Sequence, residues 1–203
     1  SLSNNKISNK AFIDDLEIPT SSHPEIKKLK RKYKGHSYNG NRVWNSTLVL
    51  IDIIKSINIQ IQKNSTVLDI GTGWGVLSSY LSKQGADVTG VDIDEKVKPF
   101  FDFVTNLNNV NPKFINKDIF SKDFDLNYDY YIACDVCFRK EHSANWVSLI
   151  NKIVKQNKKL LMCDPGRKEF WNMIAACDVP HVMNRHYINK PREGDSFVVI
   201  FGN

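Results

Sequence analysis

Apolar residues follow two different spacings along this chain. From residue 65 onward, short apolar runs typical of buried strands alternate with segments whose apolar residues recur every three or four positions, as on one face of a helix. The pattern predicts strands at 65–70, 87–91, 112–115, 128–134 and 159–163, with helices at 75–83, 95–108, 143–156 and 168–176. Strands separated by helices predict an α/β fold, in which a mostly parallel sheet carries helices on both faces.

The elements at the two ends of this predicted sheet differ from the rest. The last two predicted strands, 181–188 and 195–201, lie too close together for a helical crossover, so we expect an antiparallel C-terminal hairpin at one edge. Residues 43–57 have helical spacing and predict a helix ahead of the first strand. Asn45 or Ser46 is its candidate N-cap.

The N-terminal part of the chain has its own character. Residues 1–22 are polar apart from one apolar cluster and predict a loose arm or a short helix. A charge-rich helix is predicted at 25–33. We therefore divide the chain into an N-terminal helical extension, residues 1–42, and a main domain, residues 43–203.

Composition fits a globular protein: 41% of the 203 residues are apolar and 25% are charged. No apolar stretch approaches the roughly 20 residues of a membrane span, and residues 1–10 lack the apolar core of a signal peptide. Four cysteines, Cys134, Cys137, Cys163 and Cys177, do not form a disulfide framework. We expect reduced thiols in a cytoplasmic protein. The pair Cys134 and Cys137 has metal-ligand spacing but no second pair nearby, so no metal is expected.

Three glycines at alternate positions, Gly71, Gly73 and Gly75, join the first predicted strand of the main domain to a helix. Glycine lets the backbone adopt positive φ and approach a ligand closely. The loop is not a dinucleotide fingerprint, because Val76 stands where its third glycine would be, and no Lys-Ser/Thr pair follows as in a phosphate-binding Walker loop. The alternative is a tight turn that binds nothing.

Asp69 lies two residues before these glycines. A carboxylate there would repel a pyrophosphate but would suit a ligand with an ammonium group, such as the methionine part of S-adenosylmethionine (SAM). Thr72 and Trp74, between the glycines, are included in this candidate cofactor site.

Two further acids follow the next strands. Asp92, with Ile93 beside it, ends the second strand, where a carboxylate can accept hydrogen bonds from ribose hydroxyls. Asp94 is the alternative for that role, although it fits better as a helix N-cap. Asp118 follows the third strand and is a candidate partner for an adenine amino group, with Ile119 packing on the base. An ordinary loop aspartate is the alternative for Asp118.

Together these residues resemble the class I SAM-dependent methyltransferases over roughly residues 43–203. Asp69, Gly71, Gly73 and Gly75 match the E/D-x-G-x-G-x-G cofactor loop of that family, and Asp92 matches its ribose acid. The resemblance implies SAM as cofactor and S-adenosylhomocysteine (SAH) as product. It also implies a Rossmann-like seven-stranded sheet whose antiparallel last strand is inserted beside the fifth.

The sequence after the fourth strand narrows the resemblance. Residues 135–138, Asp-Val-Cys-Phe, resemble the D/E-x-x-Y/F motif of family 16 protein-lysine methyltransferases and lack the prolines of the Asp/Asn-Pro-Pro-Tyr/Phe motif. Residues 162–167 resemble the Gly-Asp-Pro-Gly-Arg stretch of the electron-transfer-flavoprotein β-subunit lysine methyltransferases and related ribosomal-protein methyltransferases. Trp44 matches a tryptophan common in that group and is included in the candidate cofactor site, whereas residues 1–41 match nothing in it.

This resemblance assigns roles at the acceptor side. Asp135 would hold a lysine ε-amino group, help to remove its proton and contact the cofactor. Phe138 would offer a ring face to the cationic nitrogen and exclude water. The alternatives are a turn residue for Asp135 and a core residue for Phe138. Arg167 is left open between binding an acidic partner and capping carbonyl groups.

The net charge of +6 is concentrated in residues 27–34, and the aromatic residues Tyr33, His36 and Tyr38 lie in and beside this run. Such a segment can bind single-stranded RNA or an acidic protein, although a solvated helix face is the usual outcome. The resemblance to family 16 makes a protein lysine the predicted acceptor. RNA, a small molecule and a non-catalytic SAM-binding role are the alternatives.

Overall fold

The computed structural model describes residues 9–33, 43, 45–56, 61–136 and 139–202. The strands are β1 (Lys10–Ile13), β2 (Leu16–Pro19), β3 (Thr66–Ile70), β4 (Asp87–Asp92), β5 (Lys113–Asn116), β6 (Tyr130–Cys134), β7 (Lys159–Asp164), β8 (His181–Ile188) and β9 (Gly194–Phe201). The helices are α1 (Pro24–Lys32), α2 (Asn45–Ser56), α3 (Val76–Lys83), α4 (Lys98–Leu107), α5 (Ser143–Lys155) and α6 (Lys168–Ala176).

Seven of these strands form one sheet in the order β5-β4-β3-β6-β7-β9-β8. The five strands from β3 to β7 run parallel, whereas β9 pairs antiparallel with both β7 and β8. The predicted fold class is therefore confirmed, including the C-terminal hairpin. The order reverses between β3 and β6, and open α/β sheets bind ligands in the crevice at the carboxyl ends of such strands.

Side chains from the two faces of the sheet enter two separate apolar clusters. Val67 and Ile132 pack on the face covered by α2, α3 and α4, while their neighbours Leu68 and Tyr131 pack on the face covered by α5 and α6. This follows from the strand period of two, which sends successive side chains to opposite faces. Because both faces are covered, the central strands are mostly apolar on both faces instead of alternating regularly with polar residues.

The N-terminal segment corrects one prediction. Instead of a loose arm or a short helix, residues 10–19 form the antiparallel hairpin β1–β2, with Asp14 at φ +52 in its turn. Leu16 and Ile18 of this hairpin are buried in the cluster formed with α2, α3 and α4. Leu16 and Ile18 have the two-residue spacing of a strand, but each strand of the hairpin has only four residues, too few for this spacing to be recognised in the sequence. The predicted helix that follows is present as α1, and the division at residue 42 stays a prediction.

One buried side chain fastens the hairpin to the sheet domain. Asn108, at the end of α4, accepts a hydrogen bond from the Glu17 backbone N–H at 2.7 Å and donates to the Glu17 carbonyl at 2.9 Å. It also donates to the Val104 carbonyl at 2.9 Å. The amide thus pairs with both backbone groups of one strand residue, which fixes β2 against α4.

Two helix starts also differ from the predictions. Helix α2 begins at Asn45, so neither Asn45 nor Ser46 occupies the cap position; the Ser46 hydroxyl instead pairs with that of Ser196 at 2.8 Å. The helix predicted at 95–108 starts as a 3₁₀ turn, and α4 proper begins at Lys98. Among the described residues, no helix has the length and apolar character needed to cross a membrane.

Candidate functional site

A cavity of about 380 Å³ opens at the carboxyl ends of β3, β4 and β6. Ten residues predicted for the cofactor site line it: Asp69, Gly71, Thr72, Gly73, Trp74, Asp92, Ile93, Asp118, Ile119 and Asp135. Gly75 is not among the lining residues, and the predicted Trp44 and Phe138 lie outside the described residues. The parallel strands thus bring side chains from four chain segments to one edge of the sheet.

All three loop glycines have positive φ, but their surroundings differ. A Cβ on Gly71 would lie 2.7 Å from a Val136 methyl, and one on Gly75 would lie 2.5 Å from the Phe101 ring. A Cβ on Gly73 would meet nothing within 4 Å. Gly71 and Gly75 are therefore required by close packing, with Gly75 at the N-cap of α3. Gly73 faces open space in the cavity wall, where a ligand can approach the backbone.

Asp69 holds this loop through side-chain hydrogen bonds. Its buried Oδ2 accepts hydrogen bonds from the hydroxyls of Thr72 and Ser78, both at 2.8 Å. Burial raises the pKa of Asp69 to about 6, although the hydrogen bonds from Ser78 and Thr72 act in the opposite direction. The carboxylate therefore fixes the loop and also lies in the cavity wall.

Asp92 holds the loop from the next strand. Its Oδ2 accepts from the Gly73 N–H at 2.9 Å and its Oδ1 from the Asp94 N–H at 3.0 Å, while burial raises its pKa. Asp94 accepts from the Lys96 N–H and caps the 3₁₀ turn, so the N-cap prediction for Asp94 is confirmed. Ile93 is 72% exposed although it lines the cavity, which leaves an apolar side chain at the cavity rim.

The part of the cavity near Asp118 contains three aromatic residues that sequence reasoning missed, Phe120, His142 and Trp146. Asp118 lines the cavity and also accepts from the Phe120 N–H at 2.9 Å, as a turn aspartate does. The Phe120 ring meets Trp146 edge-on at 5.1 Å and His142 at 5.6 Å. The buried Trp146 Nε1 has no hydrogen-bond partner among the described residues. Phe120 and Trp146 are far apart in sequence, and no local pattern connects them.

At the opposite side of the cavity, Asp135 follows β6 with φ +53. Its N–H donates to the Cys163 carbonyl at 2.9 Å, and the residue is 4% exposed. Oδ1 accepts from Arg167 Nη2 at 2.9 Å, whereas the buried Oδ2 has no partner within the described part of the chain. Burial raises the pKa of Asp135 to about 6, and the Arg167 guanidinium opposes this rise. The hydroxyl and backbone N–H of Ser46 also oppose it, as polar groups close to the carboxylate that do not meet the geometry of a full hydrogen bond to Oδ2.

Arg167, which the sequence left open, contacts carboxylates in this structure. Besides Asp135, it donates from Nε and Nη2 to Asp164 Oδ1. Asp164 is 1% exposed, so the guanidinium lies between two buried acids. The Asp-Pro-Gly-Arg stretch was the only sequence signal for this contact.

Two cysteines lie beside Asp135, and one of them, Cys134, also lines the cavity. Cys134 and Cys163 are neighbours across β6 and β7, and burial raises the pKa of both thiols. Over residues 9–33, 43, 45–56, 61–136 and 139–202 no cluster of metal-ligating side chains occurs. Cys137, the second residue of the possible ligand pair, lies outside those ranges.

Comparison with known families identifies the domain. The family model described as a methyltransferase domain matches residues 47–194. The chain belongs to this family. The predicted class, a SAM-dependent methyltransferase domain of the class I fold, is thereby confirmed, while membership of the lysine-methylating family 16 stays a prediction.

Relatives of this methyltransferase domain differ in their acceptors. Over 175 residues the chain is 35% identical to a ribosomal RNA small subunit methyltransferase A from Lachnoclostridium phytofermentans, covering 75% of this chain and 60% of the relative. It is 30% identical over 110 residues to a ubiquinone biosynthesis O-methyltransferase from Hydrogenovibrio crunogenus, covering 53% and 44%. The chain spans about half the length of the curated relatives it matches.

The fold also matches solved methyltransferases. Magnesium protoporphyrin IX methyltransferase from Synechocystis PCC 6803, crystallised with SAM, superposes with a TM-score of 0.62 at 18% identity, over 90% of this chain and 93% of that chain. At this identity the likeness establishes the fold alone. Because these three proteins are named for three different acceptors, similarity leaves the acceptor of this chain undetermined.

Proposed function

We propose that this protein transfers a methyl group from SAM to a nitrogen nucleophile, with a protein lysine as the acceptor. The observation that carries the proposal is the position of Asp135, a buried carboxylate in the wall of the cavity whose Oδ2 has no described partner. An acceptor N–H placed beside the cofactor would satisfy that oxygen, which otherwise remains desolvated at a free-energy cost.

The residues of the cavity fit SAM. The open space above Gly73 admits a ligand against the backbone, and Asp69 places negative charge in the wall nearby, as an ammonium group requires. Asp92 lies where ribose hydroxyls can donate to a carboxylate. The exposed Ile93 and the partly buried Ile119 offer apolar surface for the adenine, whose amino group can donate a hydrogen bond to Asp118. Bound SAM supplies a methyl group activated on a sulfonium.

The chain's own part in the reaction is mainly positioning. Methyl transfer is an in-line displacement, so the acceptor nitrogen must be held on the axis of the bond that breaks. In our proposal Asp135 holds the amine and takes a proton at Oδ2 as the new N–C bond forms and the S–C bond breaks. The methylated amine and SAH are the products. Phe138, three residues on, would add a ring face, as the family 16 motif predicts.

RNA is a second candidate acceptor, supported by cationic residues beside the cavity. Lys117 and Arg139 line it. Helix α1 carries five basic residues, and Lys30 of this helix lies 5.8 Å from the centre of the Trp74 ring in the cavity wall. Nucleic-acid phosphates bind to such cationic surfaces. The relative named as a ribosomal RNA methyltransferase favours the same acceptor. His36 and Tyr38, part of the predicted RNA segment, lie outside the described residues.

Labelling separates these acceptors. Purified protein would be incubated with tritiated SAM and host-cell lysate, and the label followed in protein and RNA fractions. Label in protein that disappears with Asp135→Asn supports the proposal, whereas label in RNA supports the alternative. Label in extracted metabolites would indicate a small-molecule acceptor. Calorimetry with SAM is the control, because Asp135→Asn should bind SAM nearly as the unmodified protein does. Tight SAM binding with no label in any fraction would indicate a non-catalytic binding module.

Three described cysteines, Cys134, Cys163 and Cys177, are free thiols. Reduced cysteines are usual in the cytoplasm, and we propose that the protein acts there.

A further inference from the structure

Arg167 is a charged residue that the proposed reaction does not use. Its guanidinium lies between two buried carboxylates, with Nη2 2.9 Å from Asp135 Oδ1 and with Nε and Nη2 both donating to Asp164 Oδ1. Asp135 lines the cavity, whereas Arg167 and Asp164 are not among its described lining residues. The guanidinium therefore reaches Asp135 from outside the cavity.

The turn after β7 is built to hold this arginine. Asp164 Oδ2 accepts from the backbone N–H groups of Gly166 and Arg167, both at 2.9 Å. Gly166 has φ +105, and a Cβ there would lie 2.9 Å from the Phe197 ring, so only glycine fits. Trp171 Nε1 closes the turn by donating to the Gly166 carbonyl at 3.0 Å. These contacts fix the direction in which the Arg167 side chain leaves the backbone.

We infer that Arg167 is a positioning residue, which holds Asp135 as a carboxylate in one orientation and leaves its Oδ2 for the acceptor nitrogen. The inference rests on the proposed function, in which Asp135 contacts the acceptor. Arg167 occupies Oδ1, so the side chain cannot rotate without breaking that ion pair. Asp164 in turn fixes Arg167 and does not contact the acceptor. Arginine suits this role because its planar fork binds two carboxylates at once and stays charged.

The surroundings of Asp135 explain why it needs a cation. Among the described residues, the titratable and polar side chains close to Asp135 come from β6, β7, the turn after β7 and α2. They are Cys134, Cys163, Asp164, Arg167 and Ser46. Both thiols are neutral, because burial raises their pKa. Burial also raises the pKa of Asp135, and among the charged groups Arg167 lowers it while Asp164 raises it. Without Arg167 the carboxyl would therefore take up a proton at a higher pH.

The first test needs no substrate. The free energy of unfolding in urea would be measured for Arg167→Met at about pH 5 and pH 8, alone and combined with Asp135→Asn. We expect the loss to be larger at pH 8, because the Asp135 carboxyl is ionised there and depends on the cation. In the Asp135→Asn background, the difference between the stability losses at pH 8 and pH 5 should be smaller, because only Asp164 then remains to interact with the cation. Equal losses at both pH values, or the same increase in both backgrounds, would refute the inference.

The second test uses methyl transfer from tritiated SAM to lysate protein. The rate of Arg167→Met divided by that of the unmodified protein cancels the titration of the acceptor itself. If Arg167 lowers the pKa of Asp135 by one to two units, this ratio should be about 3-fold to 25-fold below one at pH 6.5 and within about 2-fold of one at pH 9. A ratio that does not change with pH would mean that Arg167 has only a structural role.

Two further variants keep this test decisive. Arg167→Lys retains the charge, so it should keep the pH profile of the unmodified protein at a lower rate, even if the methionine variant fails to fold. As the control, Arg185→Met makes the same substitution at an arginine in an exposed ion pair with Asp195. It should change neither the pH dependence of unfolding nor that of the methyl-transfer rate. SAH affinity by calorimetry should stay unchanged in all three variants. If the unmodified protein labels nothing, the proposed function fails, while the unfolding experiment still decides the inference about Arg167.

Discussion

The same substitution at two neighbouring glycines should have two different effects. Gly73 and Gly75 lie in one loop with φ values of +53 and +74. Alanine at either position loses about 1–2 kcal/mol of stability, because its Cβ disfavours the left-handed region. Beyond this shared cost, only the surroundings of the two glycines differ.

For Gly75 the added methyl group would lie 2.5 Å from Phe101 Cδ2 and 2.8 Å from Cε2, on the rigid face of a buried ring. Overpacking of this kind costs about 1–3 kcal/mol more, so Gly75→Ala should lose about 2–5 kcal/mol in total. For Gly73 the methyl group would meet no atom within 4 Å. Gly73→Ala should therefore lose only the backbone cost, but its methyl group would occupy space in the cavity wall.

Urea unfolding and calorimetric titration with SAH measure these two effects separately. We expect Gly73→Ala to remain folded and to bind SAH about tenfold more weakly or worse, which corresponds to about 1.4 kcal/mol. Gly75→Ala should show the larger loss of stability, with SAH affinity nearly retained in the folded fraction.

Either of two results would refute the reasoning. Unchanged SAH affinity in Gly73→Ala would mean that the cofactor does not approach this backbone. Equal stability of the two variants would mean that the Phe101 ring moves aside and that close packing does not explain Gly75.

Two further predictions concern the hairpin and the buried acid. Asn108→Ala removes both hydrogen bonds to Glu17 and the one to Val104, and it should lower the free energy of unfolding by about 2–4 kcal/mol. The control, Asn106→Ala on the exposed face of α4, should change that free energy little. Equal effects of the two substitutions in urea unfolding would show that Asn108 does not hold the hairpin against α4. For Asp69, burial raises the folded-state pKa to about 6, above its ordinary value, so proton binding favours the folded protein. The contribution of Asp69 to stability is then greatest at low pH and is lost as the pH rises through about 6. Asp69→Asn should make the fall between about pH 4.5 and 7.5 smaller by about 2 kcal/mol, and an unchanged pH dependence would contradict the buried position.

Much of the site followed from sequence because the parallel strands share one direction. An acid or a glycine loop placed directly after a strand must lie at the carboxyl edge of the sheet, whichever strand it follows. For this reason Asp69, Asp92, Asp118 and Asp135 all line one cavity. The shared direction brings these acids to one edge of the sheet, and they line the same cavity because β5, β4, β3 and β6 are consecutive in that sheet.

The sequence did not predict contacts that depend on which strands are neighbours and which way a side chain leaves its turn. Arg167 lies 32 residues from Asp135 and reaches it because β6 pairs with β7 and the Gly166 turn directs the side chain. Asn108 and Glu17, 91 residues apart, meet because the hairpin packs against α4.

The sequence by itself determined the α/β alternation, the glycine loop and the acids at the strand ends, because each is a local pattern with a local physical cause. The tertiary structure decided which of those acids are paired. Asp69 is held by Thr72 and Ser78, while Asp135 is held by an arginine that no local spacing connects to it. Burial, which raises the pKa of both acids, depends on the packing of the whole chain around the sheet.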